Sequence, residues 1–300
     1  MLHVLTHDIL PVFFMLALGL ALGRAKVVSA AEAATLNRVA FLILQPALIF
    51  PLIARLDWSS FRVDALAVYA AMEVLVFTLT YQLLRRVFRR AAMEAWLLSM
   101  ATVFVNTLLY IWPISFLIYG EAAALPVTAL VAWDSAVAFA FFIISTDLMS
   151  GRGAGPGAAM RRLARNPVLI AIALGLAVNI AGLAIPAPFL TAFAFSGAAA
   201  APLTLFALGV ILSGHALLPG PVVSTVTAIK LAVFPALVWL ALSLTAAPGT
   251  WQTLFTLTAA GPSGAMAFAL AMLYGVRTDA IAPVIVWTSV LSLISLSWLA

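Results

Sequence analysis

The chain contains no cysteine, so disulfides, reactive thiolates and cysteine-ligated metals are all excluded. It is also poor in charge. Asp, Glu, Lys and Arg supply only 8% of its 300 residues, against roughly 25% in soluble domains. The three histidines, His3, His7 and His215, are too scattered for a metal site. No phosphate-binding loop, nucleophile elbow or metal-ligand pair is present. No cofactor is therefore expected, and the missing ATP site points to gradient-driven or passive work. What the chain has in excess is apolar length, with 65% hydrophobic residues and a mean hydropathy of +1.19. It reads as an all-α integral membrane protein with little material outside the bilayer. The pI near 10.1 could suggest nucleic acid, but the basic residues sit in short loops between apolar stretches. There they mark a side of the membrane.

Ten segments are long and apolar enough to span, at roughly 17–25 residues each. They lie near 5–23, 35–54, 63–84, 95–119, 124–148, 167–185, 190–214, 221–246, 251–274 and 280–299. The first resembles a signal peptide, but no positive region precedes it, so cleavage is rejected. Loops after odd-numbered spans hold Arg24, Lys26, Arg38, Arg85, Arg86, Arg89, Arg90, Arg152, Arg161, Arg162, Arg165 and Arg277. Opposite loops hold Arg55 and Arg62, and Lys230 lies inside a span. Odd loops are then cytoplasmic and both termini lie outside. The longest gap, residues 150–166, is rich in Gly and Arg and reads as a flexible cytoplasmic linker.

An internal repeat divides the chain into residues 1–149 and 167–300. Pro11 to Ala21 matches Pro167 to Ala177, and Pro46 matches Pro202, both at an offset of 156. Glu73 to Phe77 lines up with Lys230 to Phe234, Tyr119-Gly120 with Tyr274-Gly275, and Trp133 to Ser135 with Trp287 to Ser289. Each half holds five spans. An odd number makes the second half enter from the opposite side, the inverted-repeat design of secondary transporters.

The fourth span of each half is broken. The first carries Asn106 and Pro113; the second breaks at Gly261-Pro262-Ser263-Gly264. Proline removes a backbone donor, and freed backbone at membrane depth is tolerated only against protein or a wet cavity. The symmetry brings the two breaks together at mid-membrane, where a substrate site is expected. Asn106 is the leading candidate, able to donate to an anion or to cap a freed helix end. Gly261, Ser263 and Gly264 let backbone N–H groups approach a ligand. Gln45, beside Pro46, and Tyr110 are further lining candidates. Glu73 and Lys230 lie deep in equivalent spans, where charges are costly and by default functional. They read as a proton carrier and a counter-ion, or as a structural pair. Asp134 titrates, binds a cation, or only steadies a broken helix. Asn37 and Asn179, nearer span ends, read as caps.

In order along the chain stand Leu10-Pro11-Val12-Phe13, Gly23-Arg24, Leu36-Asn37 and Gln45-Pro46-Ala47-Leu48-Ile49-Phe50. Then come Asn106-Thr107 with Pro113, Phe206 to Leu212, Lys230 to Pro235, Ala260 to Gly264 and Thr288 to Ser292. In this ordered set the chain resembles the auxin efflux carrier family, which includes bacterial malonate and malate permeases. The resemblance implies ten helices, a scaffold of helices 1, 2, 6 and 7, and a moving transport domain of helices 3–5 and 8–10. It further implies elevator-type alternating access for carboxylates, a homodimer through the scaffold, and residence in a bacterial inner membrane. Leu108 and Ile111 stand where the family usually has glycine, beside Tyr110 and Trp112. Met266 stands where it often has asparagine. That greasier site favours a hydrophobic or aromatic monocarboxylate over a small dicarboxylate. The rival within transport is a sodium-coupled organic-anion symporter of the bile-acid type. A rival of another class is an intramembrane sensor or receptor, which would usually need a soluble output domain.

Overall fold

The computed structural model describes residues 2–151, 156–247 and 249–300. Among the described residues the regular structure is entirely helical, with no strand. In chain order the helices are α1 (Val4–Arg24), α2 (Ala30–Ala54), α3 (Val63–Arg86), α4 (Ala92–Val103), α5 (residues 107–119) and α6 (residues 124–150). After these come α7 (Pro156–Ala164), α8 (Pro167–Ile180), α9 (Ala187–Ser213), α10 (Pro221–Ser243), α11 (Gly249–Ala259), α12 (Met266–Tyr274) and α13 (Ile281–Leu299). Among the described residues seven helical runs are long and apolar enough to cross a membrane: α1, α2, α3, the continuous run of α5 and α6, α9, α10 and α13. The chain is a multi-pass membrane protein. Helices α4 and α8 are apolar but shorter.

Local sequence explains the helix limits. Ser29 and Glu32 form a capping box, with Ser29 N–H donating to Glu32 Oε2 at 2.8 Å. That box starts α2 at Ala30, five residues before the expected span. Asn166 caps α8 by accepting from the backbone N–H groups of Val168 (2.9 Å) and Leu169 (3.2 Å). Gly151 and Gly275, at φ 62° and 67°, end α6 and α12 in the left-handed conformation. The segment expected to be a flexible linker includes helix α7; its residues 152–155, with Arg152, lie outside the described residues.

Five helical turns are widened to the π form: Val4–Ile9, Ala40–Leu44, Thr107–Ile111, Trp133–Ala138 and Ile229–Val233. Four of them end two residues before a proline, at Pro11, Pro46, Pro113 and Pro235. Proline has no N–H and its ring clashes with the carbonyl four residues back, so the preceding turn widens to make room. The exception, Trp133–Ala138, carries Asp134 instead.

Helix α1 packs along α9, and α8 packs along α2. Both contacts rest on glycine against backbone. A Cβ on Gly19 would overlap the Phe206 carbonyl oxygen, and a Cβ on Gly175 would stand 2.8 Å from the Phe50 carbonyl oxygen. Adding 156 to Gly19 gives Gly175, and adding it to Phe50 gives Phe206. The same shift relates Gly19 beside Gly209 to Gly175 beside Ile53. Asn179 does cap a helix, but a neighbouring one. Its amide donates to the carbonyls of Ala54 (3.0 Å) and Leu56 (2.9 Å) at the end of α2, and its oxygen accepts from the Trp58 indole.

Candidate functional site

The chain between α4 and α5, residues 104–106, meets the chain between α11 and α12, residues 260–265. Asn106 N–H donates to the Pro262 carbonyl at 3.0 Å, and Gly264 N–H donates to the Phe104 carbonyl at 2.8 Å. Val105 and Ser263 sit between these bonds as an isolated antiparallel bridge. Each break thus satisfies backbone groups that the other leaves free, as buried backbone requires. Ser263 adds two further ties. Its N–H donates to Thr288 Oγ1 at 3.1 Å, and its hydroxyl donates to the Ala101 carbonyl at 2.6 Å. Gly261 is needed for close approach, because a Cβ there would overlap the end of the Ile111 side chain.

A cavity of about 230 Å³ opens beside this junction. One wall comes from α2, the start of α8 and α9, through Asn37, Gln45, Asn166 and Thr204. The other comes from the two breaks and from α5, α6 and α12, through Asn106, Asp134, Ser135, Gly264 and Met266. Leu108 and three phenylalanines, Phe41, Phe104 and Phe139, make the rest largely apolar. Among the described residues the Asn106 side chain makes no hydrogen bond, so its amide is available to a guest.

Of the expected site residues, Asn106, Gln45, Asp134 and Gly264 line this cavity. Gly261, Pro262 and Ser263 are buried in the junction behind it. Tyr110 is buried in the core with its hydroxyl 3.4 Å from Ser292 Oγ. Pro113 lies within α5, where it shapes the widened turn. Trp112 faces a different cleft. Asn37, Asn166 and Thr204 emerge as lining residues that sequence reading did not assign to the site. Asn166 was detectable only as a helix cap ahead of Pro167; Thr204 carries no local signal.

Glu73 and Lys230 lie behind the cavity, near Asp134 on its wall. All three are buried, Lys230 at 0% exposure, and they lie close enough to act on one another electrostatically. Glu73 Oε2 accepts from the Trp133 indole at 2.6 Å. Asp134 Oδ2 accepts from the Thr107 hydroxyl, while its Oδ1 has no partner. Lys230 donates to the carbonyl of Ala259 at 2.8 Å and stands 4.9 Å from the Phe234 ring centre. Ala259 is the last residue of α11, so the ammonium meets the negative end of that helix. Among the described residues Lys230 forms no ion pair within 4.0 Å. Tyr69, one turn before Glu73, buries a hydroxyl without a partner.

Known proteins supply a family for this arrangement. A family model described as "Membrane transport protein" matches residues 4–158 and 156–299. A relative from Rhizobium meliloti (strain 1021), named "Putative malonate transporter", is 27% identical over 98% of this chain and 94% of its own length. An "Uncharacterized transporter" of Methanothermobacter thermautotrophicus is 26% identical over 97% of this chain and 96% of its own length. An all-helical membrane protein with two joined helix breaks beside a small cavity, matched from end to end, belongs to the auxin efflux carrier-like membrane transport protein family.

Proposed function

We propose that this protein is a secondary carrier for organic anions, binding a carboxylate in the 230 Å³ cavity beside the two breaks. The observation that carries this reading is the Asn106 amide, free of intramolecular partners and facing a cavity shared by two sets of helices. Helices α1, α2, α8 and α9 form the scaffold, and the remaining spans form the moving part of an elevator. The chain crosses a bacterial inner membrane ten times, in two inverted halves joined by residues 150–166, with both termini outside and a homodimer through the scaffold. The paired glycine contacts of Gly19 on Phe206 and Gly175 on Phe50, related by one constant shift, support the repeat. The malonate named for the Rhizobium relative supports a carboxylate.

The lining narrows the choice of guest. The cavity offers amides and hydroxyls but no cation, so a single carboxylate fits it better than a dianion. Leu108, Met266 and the phenylalanines favour an apolar or aromatic body. Asp134 also lines the cavity, and an ionised carboxylate there would repel the guest; a proton carried on Asp134 removes that repulsion. A sodium-coupled mechanism is less favoured, because the Lys230 ammonium already occupies the free carbonyl end of α11. The test is flux into proteoliposomes with malonate, phenylacetate, a proton gradient and a sodium gradient. Phenylacetate uptake driven by protons and indifferent to sodium is expected. Transport of malonate alone overturns the monocarboxylate assignment, and sodium-dependent uptake overturns the coupling.

A further inference from the structure

A second, larger cleft of about 610 Å³ lies on the same interface as the 230 Å³ cavity, toward the opposite end of the helices. On α2 the smaller cavity ends at Gln45 and the cleft begins at Ala47 and Leu48. On α5 the smaller cavity ends at Leu109 and the cleft begins at Trp112. Less than one helical turn, roughly 3–4.5 Å along the axis, therefore separates them. The mouth of the cleft holds Arg55, Asp57 and Glu121, on the side away from the arginine-rich loops.

Arg55 is the notable group. Of the three basic residues outside the arginine-rich loops, two are committed. Arg62 binds Asp64 and the Ala246 carbonyl, and Lys230 binds the Ala259 carbonyl. The exposed Arg55 side chain has no hydrogen-bond or ion-pair partner among the described residues. Its acidic neighbour Asp57 is spent on Ser59 and Ser60, whose hydroxyls donate to it at 2.7 and 3.0 Å. Those bonds, led by the Ser59 hydroxyl, hold the Asp57 carboxyl below its ordinary value. Glu121 stands on the far wall, on the turn Gly120–Ala123, and does not reach Arg55. Deeper in, Phe193, which packs on Phe50 at 5.0 Å, and Trp112, stacked on Phe116 at 5.5 Å, give the cleft an aromatic floor.

We propose that this cleft is a second binding site for amphipathic monocarboxylates, reached from the outer face, in which Arg55 holds the carboxylate and the aromatic floor holds the apolar body. Glu121 repels the carboxylate from the far wall and so orients it toward Arg55. A guanidinium is suited to this, since it binds carboxylates through two parallel N–H bonds. The proposal rests on the transporter reading for its ligand class and for which face is outer, but its site is separate.

The cysteine-free sequence makes a clean test. Ala124→Cys places one thiol on the cleft wall of the full-length protein in sealed vesicles. A membrane-impermeant maleimide then reports access from each side. Phenylacetate at about ten times its Kd is expected to slow labelling from the outer face by about tenfold, because protection follows occupancy. The protection should persist when Asn106→Ala is added, vanish with Arg55→Gln, and return in part with Arg55→Lys. No protection by phenylacetate, or protection that survives Arg55→Gln, overturns the proposal, as does protection lost with Asn106→Ala alone. Transport that survives Asn106→Ala while Arg55→Gln still abolishes protection defeats the inner-site reading and leaves the outer site standing.

Discussion

The two helix breaks do the same backbone work with different side chains. Residues 104–106 present Asn106, half-buried and free, to the cavity. Residues 260–265 are almost wholly buried, and Ser263 is bound on both sides, to Thr288 and to Ala101. The first break therefore turns a free side chain to the cavity, while the second ties its Ser263 side chain to the protein and borders the cavity through Gly264. Two breaks that pair through the backbone need not share a role once one of them has been tied down.

The sharpest way to break that comparison is to remove the free side. Asn106→Ala should abolish transport in proteoliposomes while changing stability by no more than about 0.5 kcal/mol, because the side chain has no internal partner. Equal losses of transport and of thermal stability would assign Asn106 to the scaffold. Lys230→Met comes next. It leaves the buried Ala259 carbonyl without its donor, at about 1.5–3 kcal/mol, the range for a hydrogen bond to a charged group. Chemical denaturation reads that loss; near-wild-type stability would make Lys230 dispensable to the fold. Ser263→Ala strips the bond to Ala101 and should cost about 1–3 kcal/mol by leaving a buried carbonyl unpaired. The comparison requires transport by this variant to fall far less than with Asn106→Ala. The smallest net effect is expected from Gly261→Ala combined with Ile111→Val. Alone, Gly261→Ala forces Ile111 aside at about 1–3 kcal/mol, and Ile111→Val, which removes the overlapping Cδ1 but keeps Cγ1 at 2.7 Å from the added Cβ, should return part of it. A double-mutant cycle with no coupling would show that Ile111 does not set the spacing.

The breaks were legible in the sequence because proline and glycine act locally. So were the buried Glu73, Asp134 and Lys230, since charge inside an apolar span stands out wherever it falls. The far wall of the cavity was not legible. Asn166 closes the segment read as a linker, and nothing in sequence says that its side chain both caps α8 and borders a cavity. Thr204 sits in a helix apolar on every side, so no polar face betrays where it points. The neighbours of Asn106 divided in the same way. Leu108 lines the cavity, Tyr110 and Ile111 turn into the core, and Trp112 opens onto the larger cleft. These four crowding residues go three ways because neighbouring positions on a helix point around its whole circumference.

The joints at Gly19 and Gly175 carry a mechanical meaning. A side chain pressed on a side chain can switch rotamer and let two helices slide. At these places a glycine lies directly under a carbonyl group, with nothing between them to rearrange. Shear there would need the main chain itself to deform, which close packing resists. The pairs α1 with α9 and α2 with α8 are thus stiff joints, and the proposed stroke would be measured against them.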